Sequence, residues 1–494
     1  MNVPVYMSHN AALSLWQSAV HSVMAQGGAQ QGSAVQGVGS TALTQHMLAT
    51  AQVLAHFDQV GNFDVAPAVA TGATPGAGAV TAGTPAMAQC AKLAAQAAFY
   101  AVTDPAKAET IRQMLKASTC DPMWVQCLAQ YDAWRVSGRK QPYVNFSYLS
   151  DFVLESCFPD QATIAIIGDW GTGMNDALVL LEQIGQNFQP DVLLHLGDIY
   201  YSGLPEECSA NFTNLIDKVW PAVGKPKPLV FTLDGNHDRY AGANGGYYNL
   251  ISNLNKEAGR PQPNSYFALR NNFWQFVAMD TGINDSDPFN EGGLVTWLEP
   301  QEVAWHLDKI ANNGAGVDAA ANPRGVRGTV LLSHHQLFSF TGVGKDASGN
   351  PLAVNPYLAQ AFAPVSSLID MWLWGHEHAL CIFEPYANGP GQPLPKGRCI
   401  GASAVPVYLS QAPKAAANLA LPPGAQGPPQ VVPGTGLGDN GTVFNYCYAI
   451  LRLNGPALTI DYYQINSTNA SPGNPPPLGA PLYTESIPRP LAAA

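Results

Sequence analysis

Positive charge is scarce in this sequence. Across 494 residues, 23 Lys and Arg face 35 Asp and Glu, the formal charge is −12, and the first basic residue is Lys92. Such a chain does not hold nucleic acid by neutralising its phosphates, because that mode needs basic clusters and no run of five Lys or Arg occurs. The start, Met1-Asn2-Val3-Pro4, also lacks the basic residue that opens a secretory signal or transit peptide. The expectation is therefore a soluble protein that is cytoplasmic or exported by a non-classical route. Long apolar runs are missing as well: no stretch of about 18 residues goes without polar interruption, so no transmembrane segment is expected. Cysteine is sparse, and Cys90, Cys120, Cys127, Cys157, Cys208, Cys381, Cys399 and Cys447 form no Cys-x-x-Cys pair and no zinc-like spacing. Most are expected to be buried thiols; whether Cys381 and Cys399, which flank one loop, close a disulfide is left open.

What the chain does contain is enough apolar residue, 47%, for more than one core. Residues 1 to 91 stand apart, with Asp58 and Asp64 as their only acids and a composition rich in Ala, Gly, Gln, Ser and Thr. Periodicity predicts helices near 11–26 and 41–60, followed by a Gly/Pro linker over 67–85. Asp104-Pro105 and Asp121-Pro122 each put an acceptor at an N-cap and a pre-set φ at the first helical position, which predicts helices near 105–117 and 122–137 with Gly138 as the stop. Trp124, Cys127, Leu128, Tyr131 and Trp134 recur at helical spacing, the pattern of a core-facing stripe. Residues 1–158 thus read as a mostly helical, Ala/Gly-rich accessory domain.

The texture then changes. Short apolar runs at 163–167, 191–196, 229–233, 329–332 and 371–374 read as buried strands, with helices at 176–188 and 299–311 between them, so 159–466 is an α/β domain. Apolar runs at 446–453 and 458–465, joined through Asn454-Gly455, predict a hairpin, and 467–494 reads as a Pro-rich tail. The Gly436 to Gly441 stretch spells a dinucleotide-binding pattern but follows a Pro-rich loop and precedes a strand, which is the wrong context.

Each of the five buried strands ends in side chains that bind metals: Gly168-Asp169-Trp170-Gly171, Gly197-Asp198-Ile199-Tyr200-Tyr201, Gly235-Asn236-His237-Asp238, Ser333-His334-His335 and Gly375-His376-Glu377-His378. Sites in open α/β sheets are built at carboxyl ends of strands. Taken singly these clusters are turns or structural histidines. Together, gathered carboxylates and imidazoles need a cation to offset their desolvation. His195, inside the second strand, is assigned a structural role.

This ordered set resembles the calcineurin-like metallophosphoesterase superfamily and, within it, the purple acid phosphatases. The resemblance covers 163–465 and implies a four-layer α/β/β/α sandwich, preceded here by the mostly helical domain. Gly171 replaces the histidine with which most members complete their first motif, and Tyr201, three residues after Asp198, resembles the tyrosinate that binds ferric iron in purple acid phosphatases. Carried over residue by residue, the resemblance implies Asp169, Asp198, Tyr201 and His378 on Fe3+. It implies Asn236, His334 and His376 on one divalent ion (Fe2+, Zn2+ or Mn2+), with Asp198 bridging. His237 is implied as the catalytic residue that protonates the leaving group of a phosphate ester substrate. His335 is left between substrate contact and packing. Val343 stands where animal-type members carry a further substrate histidine.

The resulting expectation is an acid phosphatase that hydrolyses phosphate monoesters at a dinuclear centre. One alternative is a phosphodiesterase of the same superfamily, acting on cyclic nucleotides or phospholipid headgroups. Another is a delivered or partner-binding protein whose N-terminal domain docks a protein partner, motivated by the small, uncharged residues of 1–91.

Overall fold

The computed structural model describes residues 140–287 and 294–488, apart from 408, 410, 411, 426, 442 and 467–470, together with scattered positions between 104 and 139. By its contacts the chain divides into two units, Met1–Arg139 with Asp287–Glu291, and Lys140–Ser286 with Gly292–Ala494. In the first, Pro105, Glu109 and Gln113 are helical, as are Tyr131, Trp134 and Ser137, and Gly138 follows with φ 64°. The expected helices at 11–26 and 41–60 and the linker at 67–85 lie outside the described residues, as do Cys90, Cys120 and Cys127.

The second unit is built on two sheets. Its strands are β1 (Val153–Leu154), β2 (Gln161–Ile167), β3 (Val192–His195), β4 (Leu229–Thr232), β5 (Phe267–Arg270), β6 (Trp274–Ala278), β7 (Gly328–Ser333), β8 (Met371–Trp374), β9 (Leu380–Ile382), β10 (Lys396–Ile400), β11 (Tyr446–Asn454), β12 (Ala457–Ile465) and β13 (Tyr483–Ile487). One sheet has the order β1-β5-β6-β7-β8-β10-β9 and the other β13-β12-β11-β2-β3-β4. The unit's α-helices of more than one turn are α1 (Asn175–Asn187), α2 (Asn214–Val223), α3 (Tyr247–Asn253), α4 (Pro300–Ala311) and α5 (Pro356–Phe362), and a three-residue helix spans Pro205–Glu207.

Strand periodicity assigns each residue to a layer. In β2, Ala162, Ile164 and Ile166 enter the core between the sheets, where they join Phe276, Val330, Leu332 and Leu373 of the other sheet. Ala165 and Ile167 point the opposite way, into a cluster with Leu180, Leu181 and Ile184 of α1 and Val219 and Trp220 of α2. The seven-stranded sheet repeats the pattern: Val277, Leu331 and Trp372 face Trp305 and Ile310 of α4 and Leu358 and Phe362 of α5. A side-chain period of two, with both faces buried, is what produces continuous apolar runs and an α/β/β/α sandwich.

The five strands expected to carry the motifs are β2, β3, β4, β7 and β8, and the two helices expected between them are α1 and α4. The hairpin forms through a two-residue Gly455-Pro456 turn that pairs Asn454 with Ala457. The C-terminal stretch read as a tail supplies β13, which extends the six-stranded sheet. Its Glu485 accepts two hydrogen bonds from Arg398 of β10, at 2.7 and 2.8 Å, and so ties the two sheets together. Five alternating residues among prolines are too short a signal to register against that composition. Cys381 and Cys399 face each other across β9 and β10 and are both buried free thiols.

Gly397 lies where β10 passes the rings of Trp374 and Phe338, and an added Cβ would run into both. Gly397→Ala is expected to cost about 1–3 kcal/mol through overpacking, read as a lower urea midpoint at unchanged slope.

Candidate metal centre

Parallel pairing of β2, β3 and β4 in one sheet and of β6, β7 and β8 in the other directs their carboxyl ends to one edge of the sandwich. The loops leaving those ends converge. Asp169, Asp198 and His376 all hold positive φ, at 54°, 75° and 64°. That conformation costs non-glycine residues about 1 kcal/mol or more and is concentrated at functional sites. Gly235 is required by close approach, because a Cβ there would strike the Asp198 carboxylate.

Two donor sets result, sharing Asp198. In the first, His378 Nε2 lies 3.3 Å from Asp169 Oδ1, and the Tyr200 hydroxyl is 3.3 Å from Asp169 Oδ1, 3.1 Å from Asp198 Oδ2 and 3.0 Å from His378 Nε2. In the second, Asn236 Oδ1 is 2.9 Å from His334 Nε2 and 3.1 Å from His376 Nδ1, these nitrogens are 3.2 Å apart, and Asp198 Oδ1 is 3.3 Å from His334 Nε2. Ligand atoms about 3 Å apart are the spacing around an octahedral cation with bonds near 2.1 Å. The chemistry agrees: imidazole nitrogens mixed with hard oxygens suit transition-metal ions.

Neighbouring groups aim these atoms. His334 Nδ1 donates to the Leu196 carbonyl at 2.8 Å, which leaves Nε2 as the lone-pair nitrogen. Asn236 Nδ2 donates to the Tyr240 hydroxyl at 2.6 Å and so turns Oδ1 inward. Asp169 Oδ2 accepts the amide of His376 at 2.9 Å. Asp198 is wholly buried, and burial together with the Asp169 and Asp238 charges pushes its carboxyl well above the usual range. A cation in the centre supplies the opposite charge that this arrangement calls for.

Six of the seven metal-ligand positions expected from the sequence thus meet here: Asp169, Asp198, Asn236, His334, His376 and His378. The phenol oxygen placed among them is that of Tyr200. For Tyr201, the position chosen by motif spacing, the amide donates to Glu207 Oε1 at 2.7 Å, the carbonyl faces His237 Nδ1 at 2.8 Å, and the ring meets Tyr200 edge-on. The segment is neither helix nor strand, so sequence spacing does not fix which of two adjacent tyrosines turns inward.

His237 is buried, with its ring centroid 4.5 Å from that of Tyr200 and 4.8 Å from that of Tyr240. Since a carbonyl only accepts, Nδ1 carries the proton. His335 packs beside His376 at 4.4 Å, but Thr281 Oγ1 meets its Nδ1 at 2.9 Å and Asp285 Oδ2 meets its Nε2 at 3.0 Å. Both nitrogens face protein groups, and burial holds its pKa down to about 3. His195 donates from Nδ1 to Thr232 Oγ1 at 2.8 Å and packs against Trp170 and Phe212. Val343 is buried.

Two carboxylates that organise the loops had no assigned role in the sequence. Asp238 accepts the amides of Asp198, Ile199 and Gly235 at 2.9–3.3 Å. Glu207 accepts those of Tyr201, Ser202 and Leu204 at 2.7–3.0 Å. Pro205 and Glu207, at the first and third helical positions, were the available signal for the second.

Residues 162–380 match the family of calcineurin-like phosphoesterases. No curated protein sequence matches the chain. Among solved structures, a purple acid phosphatase from yellow lupin (Lupinus luteus) seeds is similar at 15% identity and a TM-score of 0.37, covering 67% of this chain. The chain spans 55% of the lupin protein's length. PhoD is similar at 13% identity and a TM-score of 0.40, with 71% of each chain covered. The phosphopantetheinyl hydrolase of Mycobacterium tuberculosis, at 16% identity and 0.24, covers 50% of this chain and 90% of its own. The phosphoesterase match takes in all the donor residues of both sets, His378 being the last.

Because Asp198 gives one oxygen to each set, Asp198→Ala is expected to bind neither ion, whereas substitutions confined to one set spare the other. Elemental analysis of protein purified with metal supplied reads the difference.

Proposed function

We propose that the phosphoesterase region hydrolyses phosphate monoesters, with Asp169, Asp198, His378 and the Tyr200 phenol on a ferric ion, and Asn236, His334, His376 and Asp198 on a divalent one. The observation that carries this reading is the shared Asp198 carboxylate, one oxygen in each of two four-atom donor sets. A charged phenolate among hard oxygens favours a trivalent ion. Bound there, two cations would polarise the phosphate and lower the pKa of water.

The chain's own groups do the rest. His334 and Asn236 arrive with their donor atoms already turned inward, so little reorganisation is needed on binding. His237, fixed at Nδ1 by the Tyr201 carbonyl, presents Nε2 for proton transfer to the departing ester oxygen, a role worth typically about a hundred-fold or more in rate. The net charge of −12 does not oppose an anionic substrate, because two cations dominate the field at this range.

The Tyr200 assignment has a spectroscopic test. A protein loaded with iron is expected to absorb at roughly 500–600 nm, where a phenolate on Fe3+ transfers charge, and to lose the band in Tyr200→Phe while Tyr201→Phe keeps it. A band lost only in Tyr201→Phe returns the role to the motif position. A colourless protein holding two equivalents of Mn or Zn defeats the ferric reading and leaves the diesterase alternative, which parallel mono- and diester assays decide. His237→Ala is expected to retain both metals and lose about a hundred-fold in turnover; loss of metal would contradict its role.

A further inference from the structure

Arg239 closes the short 3-10 turn His237–Arg239, its amide bonding the Asn236 carbonyl at 3.0 Å. It is almost fully buried, and its guanidinium is held from several directions. Nε donates to Asp234, Nη2 to Asp280 at 2.7 Å, and Nη1 to the Pro142 carbonyl at 2.7 Å. Gln141 in turn donates to the Arg239 carbonyl at 3.2 Å, and the guanidinium carbon lies 5.8 and 5.5 Å from the ring centroids of Tyr247 and Tyr248. Asp234 follows β4 of one sheet and Asp280 follows β6 of the other. This one residue, through its side chain and its carbonyl, thus ties together the ends of both sheets and the segment 141–142.

Stability alone does not explain this arrangement, since the desolvation of buried ion pairs about cancels their attraction and apolar packing often does as well. Direction does explain it. The His237 backbone lies on a turn of three residues, with neither a long helix nor a strand to fix it, while a proton donor must be placed to within about half an ångström. The planar fork of Arg239, whose donors sit at fixed angles, gives that turn a rigid anchor one residue beyond Asp238.

We infer that Arg239 is a positioning residue for leaving-group protonation: by pinning the turn to Asp234, Asp280 and Pro142 it sets where His237 Nε2 meets the departing oxygen. This rests on the phosphoesterase reading above. The mode of action predicts a dependence on the leaving group. An alkyl phosphate leaves as an alkoxide and needs the proton as the P–O bond breaks; p-nitrophenyl phosphate leaves as a stabilised phenolate and does not.

Arg239→Lys keeps the charge and gives up the fork. In the metal-loaded protein it is expected to keep both ions and to lose at least about tenfold more kcat on the alkyl ester than on the aryl one. His237→Ala shows the same split, and the double variant is no slower on the alkyl ester than His237→Ala alone. An equal loss on both esters, unchanged rates, or loss of metal overturns the proposal. Should Arg239→Lys fail to fold, Asp280→Asn carries the same comparison. A wild-type protein inert toward both esters sinks the phosphoesterase reading instead, and the placement is then read from the imidazole nitrogen resonances of His237: shifted in Arg239→Lys they support it, unmoved they overturn it.

Discussion

Asp198 is fully buried beside a second buried carboxylate, Asp169, with its two oxygens turned toward different groups. Two such charges are tolerable inside a protein only where hydrogen-bond donors and cations offset them. Much of the surrounding structure meets that requirement. The amide of His237 donates to Asp198, that of His376 to Asp169, and the phenol of Tyr200 lies against both carboxylates. The positive φ of Asp169, Asp198 and His376 is the backbone cost of bringing the groups so close.

A second tier of carboxylates keeps those loops from collapsing. Loops that leave buried strands carry amides with no ladder partner, and each needs an acceptor. Asp238 and Glu207 collect six of them between them, and Asp238 draws the loops after β3 and β4 together. Behind this lies the Arg239 anchor with Asp234 and Asp280. The acids that give the sequence its negative balance are therefore in part internal scaffolding for the site, with chemistry reserved for a few.

The clusters of the candidate site were legible in the sequence because they follow strands, and a strand end fixes direction as well as position. Short apolar runs brought out the clusters that contain Asp169, Asp198, Asn236, His334, His376 and His378, while the choice of these residues within them came from the resemblance. Tyr200 could not be told from Tyr201, since between Asp198 and Ser202 the chain is irregular and the Glu207 carboxylate decides how it turns. The roles of Asp238 and Arg239 were hidden for a related reason: among their partners are Asp198, Ile199, Pro142 and Asp280, which only folding brings beside them. β13 was hidden because five alternating residues cannot outweigh the prolines around them.

Composition and periodicity by themselves determined that this is an α/β chain with buried strands, short of positive charge and without an apolar run long enough for a membrane, and that its metal-binding residue types gather at strand ends. Those features follow from local rules, the two-residue period of a strand and the charge of a side chain. Which tyrosine lies against Asp169 and Asp198, which nitrogen of His334 is turned inward and how His237 is held were decided by tertiary structure alone. Two of the partners come from distant parts of the chain, Leu196 for His334 and Pro142 for Arg239, and spacing along the sequence carries no record of such encounters.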